Sequence, residues 1–214
     1  MQKLIVIFLL LFSLTAYAQK PLSIQVNGGF INPIDSHKGL SGSVQFNYSL
    51  NSIFNLYFYS GYSNWDRNKI IFYEELTGSQ TQQYFPSYSK DNHKLMTFNF
   101  GGKINLHTNK IFTSFVNIEL GYSHLSYTKY LVWNKGHDES GEVIGYYVDP
   151  SAKIDVNDDL FGVGLGGGVF RNIGNNISLV LSFKLNSFLN SNYEGLFTRK
   201  GTYTMFLAGF NFAV

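Results

Sequence analysis

MTFNFGGKINLHTNKIFTSFVNIELGY, residues 96–122, decides the fold. Met96, Phe98, Phe100, Ile104 and Leu106 fall on one parity; Thr97, Asn99, Gly101, Lys103 and Asn105 fall on the other. After the polar turn at His107–Lys110 the alternation resumes, with Phe112, Val116, Ile118, Leu120 and Tyr122 set against Thr113, Asn117, Glu119 and Gly121. Successive side chains of a strand point to opposite faces, so the stretch reads as a β-hairpin with one apolar and one polar face. Everything else turns on which face is inside.

The same period runs through the rest of the chain. One parity carries Leu22, Ile24, Val26 and Phe30, then Val44, Phe46, Tyr48 and Leu50, then Phe54, Leu56, Phe58 and Tyr62. Beyond the quoted hairpin come Phe161, Val163, Leu165 and Val169, then Ile177 to Leu185, then Phe206, Ala208, Phe210 and Phe212. That makes eight segments, each close to the roughly 9–11 residues that a tilted strand needs to cross a bilayer. Short turns at Asn51–Ser52, His107–Lys110 and Asn172–Asn176 alternate with longer stretches at 31–41, 66–92, 128–156 and 187–201. Of the 14 acidic residues, 13 lie in the long stretches or their flanks, which leaves Glu119 alone in mid-strand. The two longest stretches alternate as well (Ile70 to Tyr73; Gly145 to Val148), so their hairpins are expected to run on past the membrane.

Composition narrows the class. Lys3 followed by the apolar run Leu4–Leu14 and the small residues of Ala16-Tyr17-Ala18 has the layout of a cleaved signal peptide over 1–18. A single domain is then expected over 19–214. No cysteine is present, which excludes disulfides and thiolate chemistry. Sixteen basic against 14 acidic residues give no electrostatic footprint for nucleic acid. Charged residues make up 14% of the chain, against about 25% in an ordinary soluble domain, and aromatics 17%. A chain so apolar, with no stretch long enough for a spanning helix, points to a barrel.

In a soluble eight-stranded calyx of the lipocalin kind, the apolar face would line a ligand cavity and the other face would carry charges for solubility. Here the polar parity holds Ser43, Gln45, Asn47, Ser49, Asn55, Thr97, Asn99, Asn117, Ser178, Ser182 and the glycines 162, 164, 166 and 168. Small neutral hydrogen-bonding groups suit an enclosed interior, and the uncharged apolar parity suits lipid. The expected fold is all-β: an eight-stranded antiparallel up-and-down transmembrane β-barrel with short periplasmic turns and long external loops.

At the chain end, TMFLAGFNFAV places Phe206, Phe210 and Phe212 on the lipid-facing parity. This resembles the terminal recognition strand of outer-membrane barrels, although the chain closes on Ala213-Val214 rather than on an aromatic. With the leader, the eight segments and the unequal loops, the chain resembles the small OmpA/OmpX-type barrels and the "outer membrane protein beta-barrel domain" family of Gram-negative bacteria. The resemblance implies the bacterial outer membrane as location and the barrel-insertion machinery as a partner of the last strand. It carries no catalytic motif and no cofactor.

Several local patterns bear on chemistry. Gly162, Gly164 and Gly167 have G-x-G-x-x-G spacing, but no helical period follows, so inward glycines making room for facing side chains is the preferred reading over a dinucleotide site. His124 and Ser126 are two apart on a strand and share a face. They resemble the His-x-Ser pair of lipid A deacylase (PagL-type) barrels, which implies His124 as base and Ser126 as nucleophile. That family follows its serine with asparagine, where this chain has Tyr127, and no acid partner for His124 can be assigned from sequence. The plainer reading is a rim His and Ser beside Tyr122, Tyr127 and Tyr130 at headgroup level. Asp155, Asn157, Asp158 and Asp159 fit no cation-binding loop, and the histidines have no metal-ligand spacing. Trp65 and Trp133 read as rim or loop anchors.

An eight-stranded barrel is filled by its own side chains, so no open pore is expected. Lys103, Glu119 and Lys184 are assigned to an interior polar network. Function is then expected in the loops, where Phe72, Tyr73, Tyr84, Phe85, Tyr88, Trp133, Tyr146 and Tyr147 form a candidate interaction surface for an external protein or ligand. Arg67, Lys69, Lys129, Lys153, Arg199 and Lys200 flank the rim and are candidates for lipopolysaccharide phosphates.

Overall fold

The computed structural model describes residues 22–34, 36–66, 69–76, 82–89, 93–108, 111–190 and 201–214, with only the backbone of 69–76, 82–87, 107 and 108. Eight antiparallel strands close into a ring: β1 (Leu22–Pro33), β2 (Gly39–Ser49), β3 (Phe54–Trp65), β6 (His93–Thr108), β7 (Thr113–Asn134), β8 (Tyr146–Asn172), β9 (Ile177–Phe188) and β10 (Thr202–Ala213). Each strand pairs with its neighbour in the ring, and β1 closes onto β10 from Ser23↔Ala213 to Pro33↔Tyr203. Two further strands, β4 (Lys69–Leu76) and β5 (Gln82–Ser89), form a hairpin outside the ring that joins β7 through Ser87↔Leu131 and Tyr88↔Tyr130.

The parity question has a definite answer. Ile118 and Leu120 are 61% and 63% exposed on the outer wall, whereas Asn117 and Glu119 beside them are 8% and 2% exposed. The outward set continues around the ring through Phe30, Phe46, Phe58, Phe100, Phe161, Leu181 and Phe206. An apolar wall outside and hydrogen-bonding groups inside, with no open edge in the ring, is a transmembrane barrel.

At one end, here the turn end, the strands are joined by 50–53, 109–112 and 173–176. At the other, the loop end, β7 and β8 run to 22 and 27 residues, more than twice the roughly 10 that a bilayer needs. They rise as a hairpin whose tip is tied by Asp138, which accepts from the Ser140 amide and hydroxyl and from the Glu142 amide. The first connection is shorter than the sequence suggests. β1 and β2 extend to Pro33 and Gly39 and leave only residues 34–38 between them.

The interior has two layers. Toward the turn end, amides link in series: Gln25 to Asn27 (2.7 Å), Asn27 to Ser43 (3.1 Å), Gln45 to Asn47 (2.6 Å) and Asn47 to Asn211 (3.2 Å). Toward the loop end, Ile31, Trp65, Leu95, Leu160, Phe188, Tyr203 and Met205 pack into a buried apolar cluster. Trp65 is thus an interior residue, not a rim anchor. It shares the inward parity of Tyr57 and Tyr59 and stacks on His93, which stacks in turn on Tyr127 (centroids 5.4 and 4.4 Å). Glycines make these rings possible, as in Gly101, whose Cβ would strike the Tyr57 ring.

Candidate functional site

Three places carry chemistry: the interior network, the outer wall of β7 and β8 above the apolar belt, and the loop-end hairpins.

Glu119, on the inward parity of β7, is held by three donors. Its Oε2 accepts from Lys184 Nζ of β9 at 2.7 Å and from the Tyr57 hydroxyl of β3 at 2.8 Å, and its Oε1 accepts from Asn99 of β6 at 2.9 Å. Asn117 donates to the Tyr57 oxygen at 2.8 Å, and the Lys184 ammonium sits 3.7 Å from the centre of the Tyr59 ring. The Lys184 and Glu119 side chains are 5% and 1% exposed. A carboxylate buried this deeply is tolerable only when paired and hydrogen-bonded, and here both oxygens accept and one of the three donors is a cation. Lys103 stands apart, with its ammonium 5.3 Å from the Phe115 ring and 5.9 Å from that of Phe170. Alternation assigns these residues, Asn99 among them, to the interior but does not say which strands meet across it, so nothing in the sequence marks Tyr57, Tyr59 and Asn99 as partners of Glu119 and Lys184.

On the outer wall the apolar belt ends at Tyr122 and Phe161, whose rings meet edge to face at 5.8 Å. Directly above, His124 Nδ1 lies 2.8 Å from Asp159 Oδ1, which also accepts from the Tyr122 hydroxyl. The register that pairs His124 with Asp159 pairs Ser126 with Asn157. Asp159 therefore supplies the acid that sequence reading could not assign, since only the β7–β8 register reveals it. Ser126 lines a shallow hollow with Lys94, Thr128, Asp155 and Asn157, and no hydrogen bond joins it to His124. Asp155 is occupied by Thr128 at 2.8 Å and Lys153 at 3.3 Å. The acidic group is thus divided among separate partners, and no cluster of three metal-ligating side chains occurs among the described residues.

At the loop end, Trp133 and Tyr147 face each other across β7 and β8 and are 56% and 51% exposed. The Asp149 carboxyl is held below the usual carboxylate range, chiefly by hydrogen bonds from the Ser151 hydroxyl and amide. Tyr146 is half-buried, and Tyr88 packs at 6.4 Å from Tyr130. Phe72 and Tyr73 lie on β4, Tyr84 and Phe85 on β5, and Lys69 opens β4, with their side chains outside the described residues. Arg67, Arg199 and Lys200 also lie outside the described residues. Lys129 and Lys153 pair with Ile154 and Tyr130 on the protruding hairpin.

This architecture defines the class: a small eight-stranded transmembrane β-barrel, with an occluded interior and an elaborated loop end. No family model matches the sequence, and no curated protein does. Solved structures match in fold. Neisserial surface protein A aligns at a TM-score of 0.54 and 15% identity, covering 91% of this chain and 97% of that one. A major outer membrane protein from Thermus thermophilus gives 0.53 and 12%, covering 90% and 99%. The outer membrane protein OprG from Pseudomonas aeruginosa gives 0.50 and 9%, covering 91% and 97%.

Proposed function

We propose that the chain is a non-enzymatic integral barrel of the bacterial outer membrane, without an open pore, whose loop-end hairpins act as an interaction surface. The observation that carries this reading is the contrast between a filled interior and an exposed aromatic pair, Trp133 and Tyr147, paired across the protruding hairpin. The turn end then faces the periplasm and the loop end the exterior. In this reading Lys129 and Lys153, on the protruding hairpin, contact lipopolysaccharide phosphates, and the hairpin aromatics contact a partner protein or external ligand. The leader is removed after residue 18, and β10 engages the insertion machinery.

Membrane fractionation, with gels run in SDS before and after boiling, tests the location. A heat-dependent mobility shift in the outer-membrane fraction is expected, and a protein that stays in solution without detergent sinks the reading. Deleting 70–88 or 134–152 is expected to change an envelope or binding phenotype while the barrel stays folded. If neither deletion alters any interaction, the loop surface is not the working part.

A second reading is favoured by one observation, the Asp159 carboxylate on His124 Nδ1. With the proton on Nδ1, Nε2 is left as a base to take the Ser126 proton while Ser126 Oγ attacks an acyl ester of lipid A; the ester C–O bond breaks, the sugar hydroxyl leaves with the proton from Nε2, and water then hydrolyses the acyl-serine to free the fatty acid. This lipid A deacylase-like activity predicts fatty-acid release in detergent micelles, lost in Ser126→Ala with the barrel intact. Wild-type protein that releases no acyl chain ends it.

A further inference from the structure

Among the described residues, the barrel lumen carries two lysines, the half-buried Lys103 and the buried Lys184, and one buried carboxylate, Glu119. Glu119 is committed to Lys184, while Lys103 makes no ion pair among the described residues and rests its ammonium against the Phe115 and Phe170 rings. Both lysines line one small cavity with Gln25, Gln45, Asn117 and Ser182. Its free space is about 10 Å³, room for the centre of a single water-sized particle. Gln25, Gln45 and Asn117 are buried, and each commits one amide N–H elsewhere, to Asn27, Asn47 and Tyr57 respectively.

What the cavity offers an occupant is therefore positive charge from two ammonium groups, with the Ser182 hydroxyl and the remaining amide N–H groups as neutral donors. Lys103 is half-buried, and its charge is offset by no carboxylate among the described residues and by neither of the phenyl rings beside it. A cation is repelled here, and polyatomic anions such as gluconate exceed the space. We propose that this cavity is a binding site for one small monovalent anion of halide size, held between Lys103 and Lys184. The site lies in the turn-end half of the lumen, remote from the hairpins, and stands whether or not they bind a partner.

The test uses the full chain in detergent micelles, with the temperature at which the compact band is lost on gels measured in sodium chloride, bromide and gluconate at equal ionic strength. Chloride and bromide are expected to raise that midpoint over gluconate by roughly 3 °C and to saturate, as binding to the folded state alone requires. Lys103→Met, which leaves the Glu119–Lys184 pair in place, is expected to abolish the difference. Wild-type crystals grown in bromide are expected to give an anomalous peak between the two ammonium groups, and this decides the matter alone if the variant does not fold. Equal midpoints in the three salts, a halide shift undiminished in Lys103→Met, or no bromide at this position overturns the site.

Discussion

The two halves of the lumen are closed by different means. The loop-end half is shut by packing: Ile31, Leu95, Leu160 and Met205 are all nearly inaccessible, and their neighbours are other apolar side chains. The turn-end half is shut by pairing, in amide chains that end at Ser43 and Asn211 and in the carboxylate that collects Tyr57, Asn99 and Lys184. Packing is forgiving, because a lost methyl group leaves a void whose cost grows with its size. Pairing is not, because each partner removed leaves another buried polar group unsatisfied. One barrel thus offers a direct comparison of how far each strategy tolerates change.

The sharpest way to break the comparison is Glu119→Ala. It strands the Lys184 ammonium beneath Tyr59, and a loss of about 3–5 kcal/mol is expected for a buried pair broken on one side. Urea unfolding in lipid vesicles measures it. Adding Lys184→Met should restore most of the loss, and a double variant as unstable as the single would contradict the account. Leu95→Ala in the apolar half is expected to cost about 2–4 kcal/mol by cavity formation, with no second substitution on the opposite wall needed to explain it. Gly164→Val comes next, at about 1–3 kcal/mol by overpacking. Its Cβ would sit 2.7 Å from Glu119 Cγ and against Asn186. That variant sharpens the contrast, since Glu119→Ala should relieve part of its strain.

The smallest effect lies outside the lumen. Asp138, at the tip of the β7–β8 hairpin, is held below the usual carboxylate range by hydrogen bonds, first from the Ser140 hydroxyl and then from backbone amides. A depressed folded value means that the contribution is present above the unfolded pKa and is lost as pH falls through the folded one. Acidification through that range, or Asp138→Asn at neutral pH, should speed amide exchange at Ser140 and Glu142 and leave the unfolding midpoint of the barrel unchanged. A shift in that midpoint would mean that the tip is coupled to the barrel wall.

The fold was legible because its signal is local. A period of two, carried by Phe98, Phe100, Ile118 and Leu120 on one side and Asn99, Asn117 and Glu119 on the other, needs no long-range information. The lumen was less legible. Trp65, Leu95 and Tyr203 share the inward parity with Asn and Ser, so a parity read by its polar members hides the apolar half. The contacts of Glu119 join residues separated by 20, 62 and 65 positions, and alternation says nothing about which of them meet. Asp159 was visible as an acid in a loop flank, but only the pairing of β7 with β8 places it on His124.

The ladder between β1 and β10 has a consequence for how the molecule comes into being. It joins Ser23 to Ala213 and is finished by a hydrogen bond from the Val214 amide to the Leu22 carbonyl at 3.0 Å. Contacts this distant in sequence are slow to form, and until they form both terminal strands present bare backbone that lipid will not accept. No shorter piece of the ring is a smaller version of the whole. Synthesis of the last strand is therefore the event that makes insertion self-consistent, and a chain arrested before Thr202 would be a substrate for proteolysis rather than a partial barrel.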